Sequence, residues 1–186
     1  MHRSWRIGIT GLLVVFLLYC VAEARAQYVN EKRCRPCHLP QAKSWELTKM
    51  AKAFDLLKPG VAAESKRAHQ LDPNKDYTHD AACLSCHVTG WGQRGGFESI
   101  EKTPELAGVQ CEACHGPGAG YLKPNLMSLQ NKEYKQAEVV AAGMVVPDAQ
   151  TCQACHNPKS PFYSPFDYEA RKRQGTHEHL PLKYSH

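Results

Sequence analysis

The chain is poor in the usual means of building a protein core. Its mean hydropathy is −0.49, and aromatic residues make up only 9% of the 186 positions. Beyond the N-terminus, large apolar residues are too sparse to fill an interior. No two segments alternate as paired strands would, which argues against a sheet fold. The one long apolar run, Ile7 to Tyr19, is short for crossing a bilayer. Charge is not heavily of one sign either. The formal net charge is +5, too mild to point to nucleic acid. No cysteine is spare. Of nine, eight stand in four close pairs, and the ninth, Cys20, lies in the N-terminal leader. A disulfide-stapled fold is thereby excluded.

The leader is the first feature that is present. Arg3 and Arg6 precede the apolar run, and Ala24-Arg25-Ala26 forms an A-x-A cleavage site. Residues 1–26 read as a signal peptide cleaved after Ala26, with export to the periplasm. An uncleaved anchor is the alternative. Acylation at Cys20 ranks lower, because Tyr19 is too bulky to precede an acylated cysteine. Removal of 26 of the 186 residues leaves 160, a single-domain size covering 27–186. The leader takes away Arg3, Arg6, Arg25 and Glu23. Lys+Arg falls from 23 to 20, Asp+Glu from 18 to 17, and the net charge from +5 to +3.

The four cysteine pairs share one pattern. They are Cys34-Arg35-Pro36-Cys37-His38, Cys83-Leu84-Ser85-Cys86-His87, Cys111-Glu112-Ala113-Cys114-His115 and Cys152-Gln153-Ala154-Cys155-His156. Cys-x-x-Cys-His is the signature of covalent haem attachment. Two thiols add to the two vinyl groups of one haem, and the next residue gives the iron an axial imidazole. A single copy is compatible with a redox dithiol or half a zinc site. Four identical triples are not, since two tetrahedral zinc sites need only eight ligands. The cofactors are therefore four covalently bound haem c groups, and the haems must supply much of the core.

Local patterns predict a mainly α fold of short helices and long loops wrapped around the haems. Leu47, Met50, Phe54 and Leu57 recur at helical spacing, predicting a helix over 41–58 between Pro40 and Pro59-Gly60. Further helices are predicted over 64–71, 132–142 and 167–173, the last capped by Asp167. Gly90 to Gly96 reads as a loop, and Pro158, Pro161 and Pro165 as an extended crossing.

The sequence resembles the cytochrome c-554 family, soluble tetrahaem electron carriers of ammonia-oxidising bacteria. The likeness reaches beyond the haem motifs. It includes Ser44-Trp45, Ala51-Lys52-Ala53, Leu71-Asp72-Pro73, Lys75-Asp76-Tyr77-Thr78 and Gly90-Trp91-Gly92-Gln93-Arg94-Gly95-Gly96. It continues through Gly108-Val109, the third motif with Gly116-Pro117-Gly118, Ser164-Pro165-Phe166 and His177-Glu178-His179. The span before the fourth motif is a little shorter here, and the C-terminal helical region is much reduced.

The resemblance implies three haems with two axial histidines each and a second haem with an open distal position. It places the three distal histidines in the first helix, shortly after the third motif and near the C-terminus. The last falls on His177, but the first falls on Met50 and the second near Asn125, two residues before Met127. Met50 and Met127 are therefore expected as thioether ligands, which raise a haem's potential. Met50 as core filler is the competing reading. His69 and His79, upstream of the second motif, are alternative ligands. His179 is expected to point elsewhere, and His186 to be mobile. Phe166 is expected to restrict access to the open haem, or simply to pack in the core.

Three functions follow from the resemblance. The first is a periplasmic electron carrier between redox proteins, its donor a hydroxylamine-oxidising multihaem enzyme and its acceptor a membrane cytochrome. It has no nucleic-acid partner, and any membrane contact is peripheral. The second is reduction of nitric oxide or a related nitrogen oxide at the open haem. The third is an electron-transfer subunit of a multihaem complex. The sequence shows no acid/base cluster for catalysis, so the carrier ranks first.

Overall fold

The computed structural model describes residues 27–181. The leader, its cleavage site, Cys20 and His186 lie outside the described residues.

The backbone is helical in short pieces joined by turns. The α-helices are α1 (Leu39–Glu46), α2 (Ala63–Ala68), α3 (Ala81–His87), α4 (Cys111–His115), α5 (Gln136–Ala141), α6 (Ala149–Gln153) and α7 (Tyr168–Arg171). Single 3₁₀ turns occupy Glu31–Arg33, Phe54–Leu57, Pro104–Leu106 and Gly118–Gly120. Among the described residues the only β pairing is an isolated antiparallel bridge, Val88 to Ala107. No helix among them is long and apolar enough to cross a membrane.

The long helix predicted over 41–58 is instead broken after Glu46. The cause is local competition for backbone groups. The Thr48 hydroxyl donates to Trp45 O at 2.7 Å and accepts from Ala51 N at 3.2 Å, drawing the chain into a turn. Distant chain then fixes the break. Trp45 Nε1 donates to Val109 O at 2.8 Å, and Val109 N donates to Met50 O at 3.0 Å. The apolar stripe divides accordingly. Leu47 is 80% exposed, while Phe54 and Leu57 are buried on their own 3₁₀ turn. The other predicted helices form in shortened versions. Asp167 caps α7 by accepting from Ala170 N at 3.1 Å.

The protein core is a single cluster of Phe54, Leu57, Tyr77, Leu84, Val88, Phe97 and Leu106. It packs around α3, which carries the second motif. Beneath it runs a buried polar seam. Thr89, fully buried, donates to Gly108 O at 2.8 Å and accepts from Gln110 N at 2.9 Å. The Gln110 side chain donates to Glu105 O and Ala107 O, and accepts from Glu31 N at 3.1 Å. The last of these bonds holds Glu31, just ahead of the first motif, against the third.

Candidate functional site

Each motif sits on a turn of helix, and this explains its spacing. Residues i, i+3 and i+4 share one helical face, so both thiols and the imidazole point to one side. The second motif ends α3, and the third is α4 itself. The first and fourth keep the same i-to-i+4 bond: His38 N donates to Cys34 O, and His156 N to Cys152 O, both at 3.0 Å. Caps set the start of two of these turns. Asp80 accepts from Ala82 N at 3.1 Å, and Asp148 forms a capping box with Thr151. Gly116, at φ 75°, ends α4 immediately after His115.

Two motif histidines are oriented by backbone carbonyls. His87 Nδ1 lies 2.6 Å from Ala53 O, and His115 Nδ1 lies 3.3 Å from Val145 O. A ring nitrogen facing a carbonyl carries the proton, which leaves Nε2 as the free metal-binding nitrogen. His177 repeats the arrangement, with Nδ1 2.9 Å from Glu178 O. Its ring centre is 6.2 Å from that of His115, the planes 29° apart. His115 and His177 are thus neighbouring imidazoles beside the third motif. Glu178 N donates to Ser44 Oγ at 2.8 Å and so ties this segment to α1. His38 and His179 complete a histidine cluster around His177. Burial and the neighbouring rings push His38, His115 and His179 below the usual imidazole range.

The thiols are arranged in neighbouring pairs. Cys34 lies beside Cys111, which raises Cys34 and lowers Cys111. Cys155 lies near Cys86, and burial pushes Cys155 up to about 12. Burial pushes Cys114 up to about 11, with Cys152 beside it. Among the described residues no three His, Cys, Asp or Glu side chains converge on a point fit for an ion. The donor set suits thioether attachment with one axial imidazole per motif.

The remaining candidates are more scattered. Met50 is half-buried in the turn after α1, and its carbonyl accepts from Ala53 N and Val109 N. Met127 is half-buried in a turn closed by its N–H on Lys123 O at 2.8 Å. His69 is exposed at the end of α2, with Nδ1 2.8 Å from Ser65 O and its ring on Phe162 at 4.5 Å. His79 Nδ1 lies 3.1 Å from Thr78 Oγ1. Phe166 stacks on His156, ring centres 4.4 Å apart and planes 18° from parallel.

Sequence reasoning missed the orienting carbonyls of Ala53 and Val145, which carry no residue-type signal. It also missed Glu112. Inside a motif, on a short helix, that residue reads as a solvated charge, yet it is 2% exposed.

The chain is similar to known proteins. The sequence family described as cytochrome c554 and c-prime matches residues 33–116. Cytochrome c-554 of Nitrosomonas europaea is 35% identical over 185 residues, spanning 86% of this chain and 79% of that protein. The solved structure of reduced cytochrome c554 from the same organism superposes with a TM-score of 0.65 at 34% identity. That match covers 86% of this chain and 89% of the other.

Proposed function

The chain belongs to the cytochrome c-554 family, and from that premise we propose that it carries electrons in the periplasm from a multihaem enzyme to a membrane cytochrome. It is a c-type cytochrome of electron transport whose cofactors are four covalently bound haem c groups. Each haem supplies an iron that cycles between ferric and ferrous. The pairs Cys34/Cys37, Cys83/Cys86, Cys111/Cys114 and Cys152/Cys155 anchor the haems, and His38, His87, His115 and His156 are the proximal ligands. His177 would serve as a distal ligand, and Met50 and Met127 would supply sulfur where the resemblance expects histidine. A donor that oxidises hydroxylamine fits this reading. So does cleavage of the exported chain after Ala26.

The observation that carries the reading is the contact between motifs. Cys34 adjoins Cys111, and Cys86 adjoins Cys155. Groups anchored on these thiols lie close together, as a relay requires and a single catalytic centre does not. The test is stopped-flow reduction of the ferric holoprotein followed by oxidant pulses. A carrier takes up four electrons and returns them to a one-electron acceptor, with no sustained consumption of nitric oxide or hydroxylamine. Steady turnover of either compound would replace this reading with an enzyme.

A further inference from the structure

We propose that two buried charges of opposite sign, Glu112 and Lys66, bias the relay, lowering the potentials of the first- and third-motif haems and raising that of the second. The inference rests on haem attachment at these motifs.

Glu112 stands between Cys111 and Cys114 and is 2% exposed. Its carboxylate accepts from Val29 N at 2.9 and 3.1 Å, Asn30 N at 2.8 Å and Gly118 N at 2.6 Å. In each of these bonds it is the acceptor, as suits an ionised carboxylate held by preorganised N–H groups. No ion pair among the described residues includes it. The site is closely built. A Cβ on Gly118 would lie 2.7 Å from Val29 Cγ2 and 3.1 Å from Glu112 Oε1. The charge touches both neighbouring motifs: Glu112 lies between Cys111 and Cys114, and its Val29 and Asn30 partners lead into the first motif. A fixed anion in a weakly polarisable interior favours ferric over ferrous iron, because the oxidised haem carries one more positive charge.

Lys66 has the opposite position. It is 4% exposed, on α2 beside the protein core. Its Nζ donates to Lys58 O at 2.8 Å and lies 5.3 Å from the Tyr77 ring centre. Among the described residues no carboxylate pairs with it. Tyr77 belongs to the same buried cluster as Leu84 of the second motif, so the ammonium sits one side chain away from that motif. A buried ammonium there favours ferrous iron. Electrons entering at the first or third motif would therefore run downhill towards the second.

The test is a spectroelectrochemical titration of the holoprotein in three variants. Glu112→Gln is expected to raise two of the four midpoints, and Glu112→Asp to return them towards wild type. Lys66→Met keeps the apolar stem, and is expected to lower one midpoint. If Glu112→Gln fails to accumulate, Lys66→Met and Glu112→Asp decide. Unmoved midpoints, or shifts of the same sign in both charge-removing variants, would overturn the proposal, since general loosening has no reason to reverse sign. A haemochrome assay on each protein separates the two levels. Fewer than four haems in the wild type breaks the premise, whereas four haems with unmoved midpoints breaks only this inference.

Discussion

Residues 27–121 and 122–181 solve the same problem by different means. The first part has a protein core. All the buried apolar side chains lie there except Val139, as does the cluster around α3. The second part offers Val139 inside and Leu129, Val140, Val145, Val146, Phe162, Tyr163 and Leu180 exposed. Its helices are short, and α6 and α7 start on aspartate caps. Short helices do not persist by backbone bonding alone. The first part is therefore supported by protein packing and the second by what it wraps.

The sharpest way to break this contrast is to remove one haem. In Cys152→Ala/Cys155→Ala, amide protection over 136–171 should collapse, while that over 84–106 should persist. Hydrogen exchange reads this directly, and equal loss in both parts would show one cooperative unit. Core substitution comes next. Leu84→Ala should cost about 3 kcal/mol, whereas Leu129→Ala should stay within about 0.5 kcal/mol. Denaturant titration of the holoprotein compares the two. Thr89→Val should cost about 2 kcal/mol, because it leaves Gly108 O and Gln110 N without their buried partner. A cost near zero would mean that water replaces the hydroxyl.

The smallest effect is a pH dependence confined to the second part. Hydrogen bonds from Thr151 hold the Asp148 carboxyl below its usual range. A depressed carboxyl contributes stability above its unfolded value and loses it as pH falls through the folded one. The start of α6 should therefore fray below about pH 4, seen as movement of the Thr151 amide resonance, with α3 unchanged.

The haem motifs, the helical class and the loop at 90–96 were legible because residue identity and spacing alone determine them. The helix over 41–58 was not. Its stripe is real in sequence, but Thr48 and the distant Val109 break it, and periodicity is blind to both. His177 was expected as a ligand from the resemblance, and its ring lies beside that of His115. The carbonyls of Ala53 and Val145 that aim His87 and His115 are backbone atoms, invisible to any reading of side chains. Glu112 was hidden differently, because its burial depends on residues 29, 30 and 118 folding over it.

The most direct test of the whole account is the intact mass of the purified, exported protein, taken with its haemochrome content. The account predicts residues 27–186 carrying four haems, with no free thiol. A chain bearing eight free thiols, or zinc in place of haem, would contradict it.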